Sequence, residues 1–216
     1  MIPLRDSRRP RRFPAATWLV ALANAAAFAW TLALGDRAAT ALERWSVSPA
    51  EIVALDDPLL LPVRLVASLF LHGSWLHLLG NLAFLAVFGD DVEEKLRPAR
   101  FLALYLAAGL VATLVQTAAT PRSALPLVGA SGAIAGVLGS FLVLFPRARL
   151  SGVLPLGCLL VPMRTRAFLF LPLWFALQLV GALLAAPGSA AGGTAWYAHL
   201  AGFVAGPPLA RALRRR

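Results

Sequence analysis

The amino-acid sequence predicts an all-α membrane protein, a bundle of six transmembrane helices with both termini cytoplasmic. Of its 216 residues, 59% are hydrophobic and only 14% are charged. A soluble domain carries about 25% charged residues, so this chain has too little polar surface to cover a globule in water. Its uncharged runs are about as long as a bilayer crossing, and its arginines cluster between them. These observations exclude most soluble enzyme folds.

The six spans are predicted from the uncharged runs of the sequence. They lie at about residues 13–35, 70–89, 101–119, 130–146, 167–186 and 195–212. The last two share one run that is broken by proline and glycine at 187–189 and 192–193, which predicts a turn. The stretch 150–163 is too short to cross and is broken by two prolines and a glycine. We interpret it as a connection at the membrane surface.

The basic residues predict the orientation of the chain. With the N-terminus inside, only Arg37, Arg44, Arg64 and Arg122 of the 20 basic residues lie outside, as expected if positively charged flanks stay cytoplasmic. Residues 1–12 and 213–216 are then basic cytoplasmic tails around a membrane domain at 13–212, and 36–64 is a long outer loop. The net charge of +10 is explained by these flanks, so we expect no nucleic-acid partner. The first run is too long for a cleavable signal, which predicts a retained helix.

Five polar side chains fall in the outer part of the predicted spans, where a polar group is costly. They are His72, His77 and Asn81 in the second span, Ser131 in the fourth and His199 in the sixth. All three histidines of the chain are among them. The shared depth indicates a site rather than five unrelated residues.

Ser131 begins a helix within Gly129-Ala130-Ser131-Gly132. A serine at a glycine-lined helix start has an exposed hydroxyl, and the free N–H groups of the first turn can stabilise an oxyanion.

In the sixth span His199, Gly202 and Gly206 share one face, and Gly132 and Gly136 form a second small face in the fourth. Two such faces would let Ser131 and His199 approach as nucleophile and base. No acidic residue follows Glu94 or lies in a span interior, which favours a Ser/His dyad over a triad. His77 and Asn81 are four residues apart on one helix face and could donate to the oxyanion. His72 is predicted to face elsewhere, toward the outer mouth.

Each of these residues also has an ordinary structural interpretation. Serine and glycine often serve helix packing, and a single histidine or asparagine often bridges helices. Three histidines at one depth could instead hold zinc, although the spans offer no carboxylate and Cys158 is the only cysteine. The combination favours catalysis, with no metal and no cofactor.

The combined motifs resemble those of the rhomboid intramembrane serine proteases. They are His72-x4-His77-x3-Asn81, Gly129-Ala130-Ser131-Gly132 and His199-x2-Gly202-x3-Gly206, in order and spacing, within residues 64–206. The resemblance implies Ser131 as nucleophile and His199 as general base. It implies an oxyanion hole of His77, Asn81 and the Ser131 N–H, with His72, Gly129, Gly132, Gly202 and Gly206 in support. Glu93 matches a structural acidic position of the family.

The resemblance also implies transmembrane protein substrates, a bilayer setting, a bacterial cytoplasmic (inner) membrane location and an active site that opens outward. Span five, with Trp174 and Phe175, would be a substrate gate. The chain departs from the family in having Val63-Arg64 where many members have Trp-Arg. Without the tryptophan, the sequence does not show how the outer loop is anchored. It also has Ala135 where some carry an aromatic that stacks on the catalytic histidine, so the base would be held by packing alone. A catalytically silent helix-binding scaffold is the alternative function.

Overall fold

The computed structural model describes residues 1–8, 11–156, 159–184 and 195–214. These residues form nine α-helices, a short 3-10 turn at Gly35–Arg37 and three β-strands. The helices are α1 (Ala15–Ala33), α2 (Ala38–Trp45), α3 (Pro49–Ala54), α4 (Leu61–Ser68), α5 (Trp75–Leu96), α6 (Pro98–Ala119), α7 (Ser131–Leu144), α8 (Ala167–Leu184) and α9 (Trp196–Leu213). The strands are β1 (Ile2–Asp6), β2 (Arg149–Leu156) and β3 (Leu159–Arg166).

The six longer helices lie where the six spans are predicted. By length and composition, α1, α6 and α8 could each cross a membrane, and α7 is a shorter apolar helix. The predominantly helical fold is therefore confirmed, and six crossings remain a prediction. Helix α5 begins at Trp75 and extends to Leu96, so the charge-rich segment 90–95 lies in its final turns. The predicted turn at 187–193, Cys158 and the last two residues of the C-terminal tail lie outside the described residues.

Helix α7 lies at the centre of the bundle, with every residue from Gly132 to Phe141 buried. It packs most closely against α9. A Cβ atom added to Gly202 or Gly206 would overlap the carbonyl oxygen of Gly132 or Gly136, respectively. The two backbones are therefore in direct contact, which only glycine permits at these positions.

The prediction of an all-α protein is wrong at one end of the bundle. There β1, β2 and β3 form an antiparallel sheet in that order, which includes part of the predicted N-terminal tail and the stretch 150–163. The two prolines of this stretch lie within paired strands. Pro162 lies on β3, an edge strand, where a missing N–H donor is tolerated.

Buried charged residues connect distant segments of the fold. Glu93, on α5, accepts hydrogen bonds from the Ala16 and Thr17 N–H groups and from the Thr17 hydroxyl, at 2.7–3.0 Å. It thereby satisfies free donors at the start of α1, which gives this residue the structural role that the resemblance implies.

The predicted outer loop is largely helical, since it contains α2, α3 and the start of α4. Arg64, on α4, donates to the Ser46 carbonyl at 2.9 Å and to Glu51 Oε1 at 2.7 Å. Burial alone would raise the pKa of Glu51, but hydrogen bonds from Arg64 and Ser48 lower it. The loop is therefore anchored through the arginine, without the tryptophan that the resemblance implies at residue 63.

Candidate active site

Ser131 and His199 lie in direct contact at one end of the bundle. Ser131 is the first residue of α7 and His199 lies in the first turn of α9. The Ser131 Oγ atom is 2.8 Å from His199 Nε2, and both residues are partly buried. This is the hydrogen-bond distance that a nucleophile and its base require.

The glycine contacts between α7 and α9 explain this approach. Because Gly202 and Gly206 lie against the backbone of α7, the first turns of the two helices are adjacent. Gly132 has Ala112 of α6 on its other side, where an added Cβ would meet the alanine Cβ at 2.6 Å. The position of Ser131 is therefore fixed by close contacts of the adjoining glycine backbone with two neighbouring helices.

Gln178, on α8, is a polar partner of His199 that sequence reasoning missed. Its Oε1 atom is 2.7 Å from His199 Nδ1. A carbonyl oxygen can only accept, so Nδ1 carries the proton and Nε2 is free to accept from the Ser131 hydroxyl. The available signal was that Gln178 is the only amide side chain in the fifth predicted span.

Aromatic rings also surround the imidazole. The ring centroids of Trp174 and Trp196 lie 6.1 and 6.3 Å from that of His199, within the range of aromatic contacts. The expectation that packing alone would hold His199, because residue 135 is alanine, is therefore wrong. A hydrogen bond from the imidazole to Gln178 of α8 and two tryptophan rings orient it.

A second group of predicted residues lies beside the Gly129 loop. Asn81 Nδ2 is 2.9 Å from His72 Nε2, and His72 Nδ1 is 3.1 Å from the Phe70 carbonyl oxygen. His72 is fully buried. The prediction that it faces the outer mouth is wrong, because it accepts a hydrogen bond from the Asn81 amide and so orients it.

His77 and Asn81 both approach Gly129, two residues before Ser131. Gly129 has a φ angle of +120°, and a Cβ atom there would meet the His77 ring at 2.6 Å and Asn81 Nδ2 at 3.8 Å. The histidine ring therefore occupies the space that a side chain at residue 129 would need. This places two polar side chains of α5 beside the loop that leads into the serine helix.

The arrangement combines a hydroxyl, a correctly protonated imidazole and several hydrogen-bond donors. Helix geometry leaves the N–H groups of Ser131, Gly132 and Ala133 without partners inside α7. The positive end of the helix dipole adds to their effect on a nearby anion. Such a site suits acyl transfer through a tetrahedral oxyanion.

The described residues contain no group of three His, Cys, Asp or Glu side chains placed to hold a metal ion. His199 contacts a serine and a glutamine, and His72 contacts an asparagine and a main-chain carbonyl. His72 and His77 lie with ring centroids 5.0 Å apart. The geometry therefore places His199 in one hydrogen-bonded group and His72 in another, with the ring of His77 beside His72.

A family model described as the Rhomboid domain matches residues 62–216. The putative rhomboid protease YdcA of Bacillus subtilis is 37% identical over 84 residues, which cover 38% of this chain and 42% of that protein. The rhomboid protease GluP of the same organism is 39% identical over 79 residues, covering 37% of this chain and 15% of GluP. RHOMBOID-like protein 5 of Arabidopsis thaliana is 38% identical over 79 residues, 37% of this chain and 26% of the plant protein. The matches thus span less than half of each relative.

Proposed function

The chain belongs to the rhomboid family, and from this membership we propose that it is an intramembrane serine endopeptidase that cleaves transmembrane segments of other proteins. The observation that carries the proposal is the 2.8 Å contact between Ser131 Oγ and His199 Nε2 at the start of α7. A serine that served only helix packing would not need an imidazole whose other nitrogen is itself oriented by Gln178.

In the proposed reaction, Ser131 Oγ attacks the scissile carbonyl carbon while His199 Nε2 takes the hydroxyl proton. The C–N bond then breaks, and the imidazolium returns the proton to the leaving amine. Water, deprotonated by the same histidine, attacks the ester between Ser131 and the substrate. This second attack releases the new carboxyl group and restores the serine.

The oxyanion hole is proposed to consist of the Ser131 N–H and side chains of α5. Asn81 Nδ2 has two N–H groups, and one of them is donated to His72. The second is available to the oxyanion, together with a ring N–H of His77. His72 then acts as a positioning residue, since it fixes the amide through which Asn81 would contact the reacting atoms.

The sheet supports the proposed topology. Strand β1 pairs with β2, so residues 2–6 and 149–156 lie on the same side of the membrane. The segment between them must therefore cross an even number of times, which agrees with four crossings by α1, α5, α6 and α7. With the arginine-rich ends inside, both termini are cytoplasmic, and the Ser131 end of the bundle opens to the outer side of a cell membrane.

Helix α8 is proposed as the gate through which a substrate segment enters. Only 22% of the residues in its most apolar stretch are buried, against 50% for α6. Its ring contacts to α9 are those of Trp174 with His199 and Phe203, and of Phe175 with Phe203. A loosely packed helix beside the dyad is the element that can move at least cost.

The test is cleavage of a reporter transmembrane segment by the full chain in liposomes. We expect Ser131→Ala and His199→Ala to abolish cleavage, and a metal chelator to leave wild-type cleavage unchanged. Ser140→Ala is the matched control, since Ser140 lies on the same helix, is fully buried and, among the described residues, its hydroxyl bonds only to the Gly136 carbonyl. It should retain activity.

Cleavage that survives Ser131→Ala would refute the dyad, and loss with chelator alone would favour a metal hydrolase. A folded protein that binds the reporter helix without cutting it would instead be a catalytically silent scaffold.

A further inference from the structure

One face of the sheet carries four arginines, which we call the arginine face: Arg5, Arg149, Arg164 and Arg166. The strand register places them together, because Arg149 is opposite Arg166, and Ser151 is opposite both Arg5 and Arg164. Directly opposed residues in antiparallel strands share a face. All four arginines are exposed. Among the described residues, none of the four guanidinium groups forms an ion pair with a carboxylate.

This arrangement is costly without an anionic partner. Like charges directly opposite one another destabilise a strand pair, as Arg149 and Arg166 do here. Asp6, the only acidic residue in the three strands, pairs with Leu150 and therefore lies on the other face, toward the helices. An external anion would remove the repulsion that the fold leaves in place.

The far end of the same sheet is apolar and exposed. Leu159 and Leu160 are 65% and 64% exposed, and Val161 and Met163 are also uncovered. Alternate residues of β3 belong to opposite faces, so both faces are uncovered there. An element with positive charges at one end and exposed apolar side chains at the other is typical of a segment that lies in a membrane interface.

The sheet is held close to the membrane by its connections. Helix α7 ends at Leu144, five residues before β2, and β3 ends at Arg166, next to the first residue of α8. Since α8 is long and apolar enough to cross a bilayer, Arg164 and Arg166 lie at the depth of the lipid headgroups. This end of the bundle is opposite to that of Ser131 and His199.

We propose that the arginine face binds anionic phospholipid headgroups, while the apolar end of the β2–β3 hairpin enters the adjoining acyl boundary. Both halves of the surface are then satisfied by one partner. An acidic peptide would neutralise the arginines but leave the leucines in water. The proposal concerns a separate site and does not depend on the proposed protease activity.

The experiment measures the depth of the hairpin in lipid nanodiscs. An environment-sensitive fluorophore is attached to a Leu160→Cys variant in a Cys158→Ser background of the full chain. As phosphatidylglycerol replaces phosphatidylcholine, we expect the emission to shift to the blue, and high salt to reverse the shift. Added polyglutamate should have no effect in phosphatidylcholine alone.

A triple variant should weaken the apparent affinity of the hairpin for phosphatidylglycerol about 100-fold, since each arginine near an anionic surface contributes roughly fivefold to that affinity. The variant combines Arg149→Gln, Arg164→Gln and Arg166→Gln. The same three positions changed to lysine should retain most of it. Arg37, Arg44 and Arg122 changed to glutamine form the matched control, because they are exposed at the opposite end of the bundle.

A wild-type emission that is independent of phosphatidylglycerol would overturn the proposal. So would an equal response in the glutamine variant and the control. A shift produced by polyglutamate without anionic lipid would assign the surface to an acidic polypeptide instead.

Discussion

The contact between Gln178 and His199 makes a quantitative prediction for the variant Gln178→Leu. In the resting site, His199 Nδ1 donates to Gln178 Oε1 at 2.7 Å as a neutral group. When the histidine takes the proton of Ser131 in the proposed reaction, the donor becomes charged, and such a bond is worth about 1.5–3 kcal/mol against about 0.5–1.5 kcal/mol for a neutral one. The interaction therefore strengthens toward the transition state.

Loss of this bond should lower kcat roughly 5- to 15-fold, because the bond strengthens by about 1–1.5 kcal/mol toward the transition state and each 1.36 kcal/mol in the barrier is a factor of ten in rate. KM should change by less than about twofold, since an interaction made in the transition state is removed. Gln178→Glu keeps an acceptor oxygen at the same position and should restore much of kcat. The assay is the initial rate of reporter cleavage in liposomes over a range of reporter concentrations.

Gln116 provides the control for a purely structural loss. Its Oε1 accepts from the Ala198 N–H at 3.1 Å, one residue before His199, but it does not contact the imidazole. Gln116→Leu should lower the Tm clearly but change kcat little. Wild-type kcat in Gln178→Leu would refute the proposed role of this bond. So would a loss of kcat that is accompanied by a large fall in Tm and that Gln116→Leu reproduces to the same extent.

Two further predictions test the packing and the sheet. Gly206→Ala should cause large losses of both Tm and cleavage, because its Cβ would overlap the Gly136 carbonyl of α7. Gly80→Ala, with open space around it, should be neutral or slightly stabilising. Equal effects of the two variants in a thermal melt would contradict the close packing of α7 and α9. Burial, with a hydrogen bond and repulsion from Asp91, raises the pKa of Asp6 to about 8. The stabilisation of β1 is then complete below about pH 4 and is lost as the pH rises through about 8. The protection factors of the β1 amides, which correct for the base-catalysed exchange of an unfolded peptide, should therefore fall between about pH 4 and 8. Asp6→Asn should abolish that dependence, and an unchanged pH profile in this variant would show that the group is not Asp6.

The groups that face Asp6 define this titration. Asp91 and Asp90 lie on α5, and Arg8 follows β1, with its Nε 3.1 Å from Asp91 Oδ2. Burial also raises the pKa of Asp90, to about 6. The arginine supplies the only positive charge among these groups in the described part of the chain, so a proton on Asp6 is the second means of relieving the repulsion.

The sequence allowed the helical bundle and the Ser131–His199 pair to be predicted because both depend on local signals. A polar residue inside an apolar run is conspicuous, and the glycines at 202 and 206 show how two helices can approach. Gln178 was overlooked because its role depends on where α8 lies against α9, and neither charge nor spacing reports that. The same limit applied to His72, whose partner Asn81 lies nine residues away on the next helix.

The sheet was missed for a different physical reason. Its β1–β2 pairing joins segments that are far apart in the chain, and no local pattern in either segment reveals the other. The prolines at 155 and 162 also lowered the strand signal, although each is compatible with a position lacking a strand neighbour on one side. Pairing of this kind is decided by tertiary contacts, which a single sequence does not contain.

The pairing of β1 with β2 also imposes an order on biosynthesis. The Ser7 hydroxyl accepts a hydrogen bond from the Arg149 N–H, 142 residues later in the chain. At about 5–20 residues per second, a ribosome needs roughly 7–30 s to synthesise that interval. During this time the first strand has no partner, and the four helices that cross the membrane in the proposed topology, α1, α5, α6 and α7, are synthesised before β2. Closure of the sheet is therefore a late event, which can occur only if those helices have left both strands on the same side.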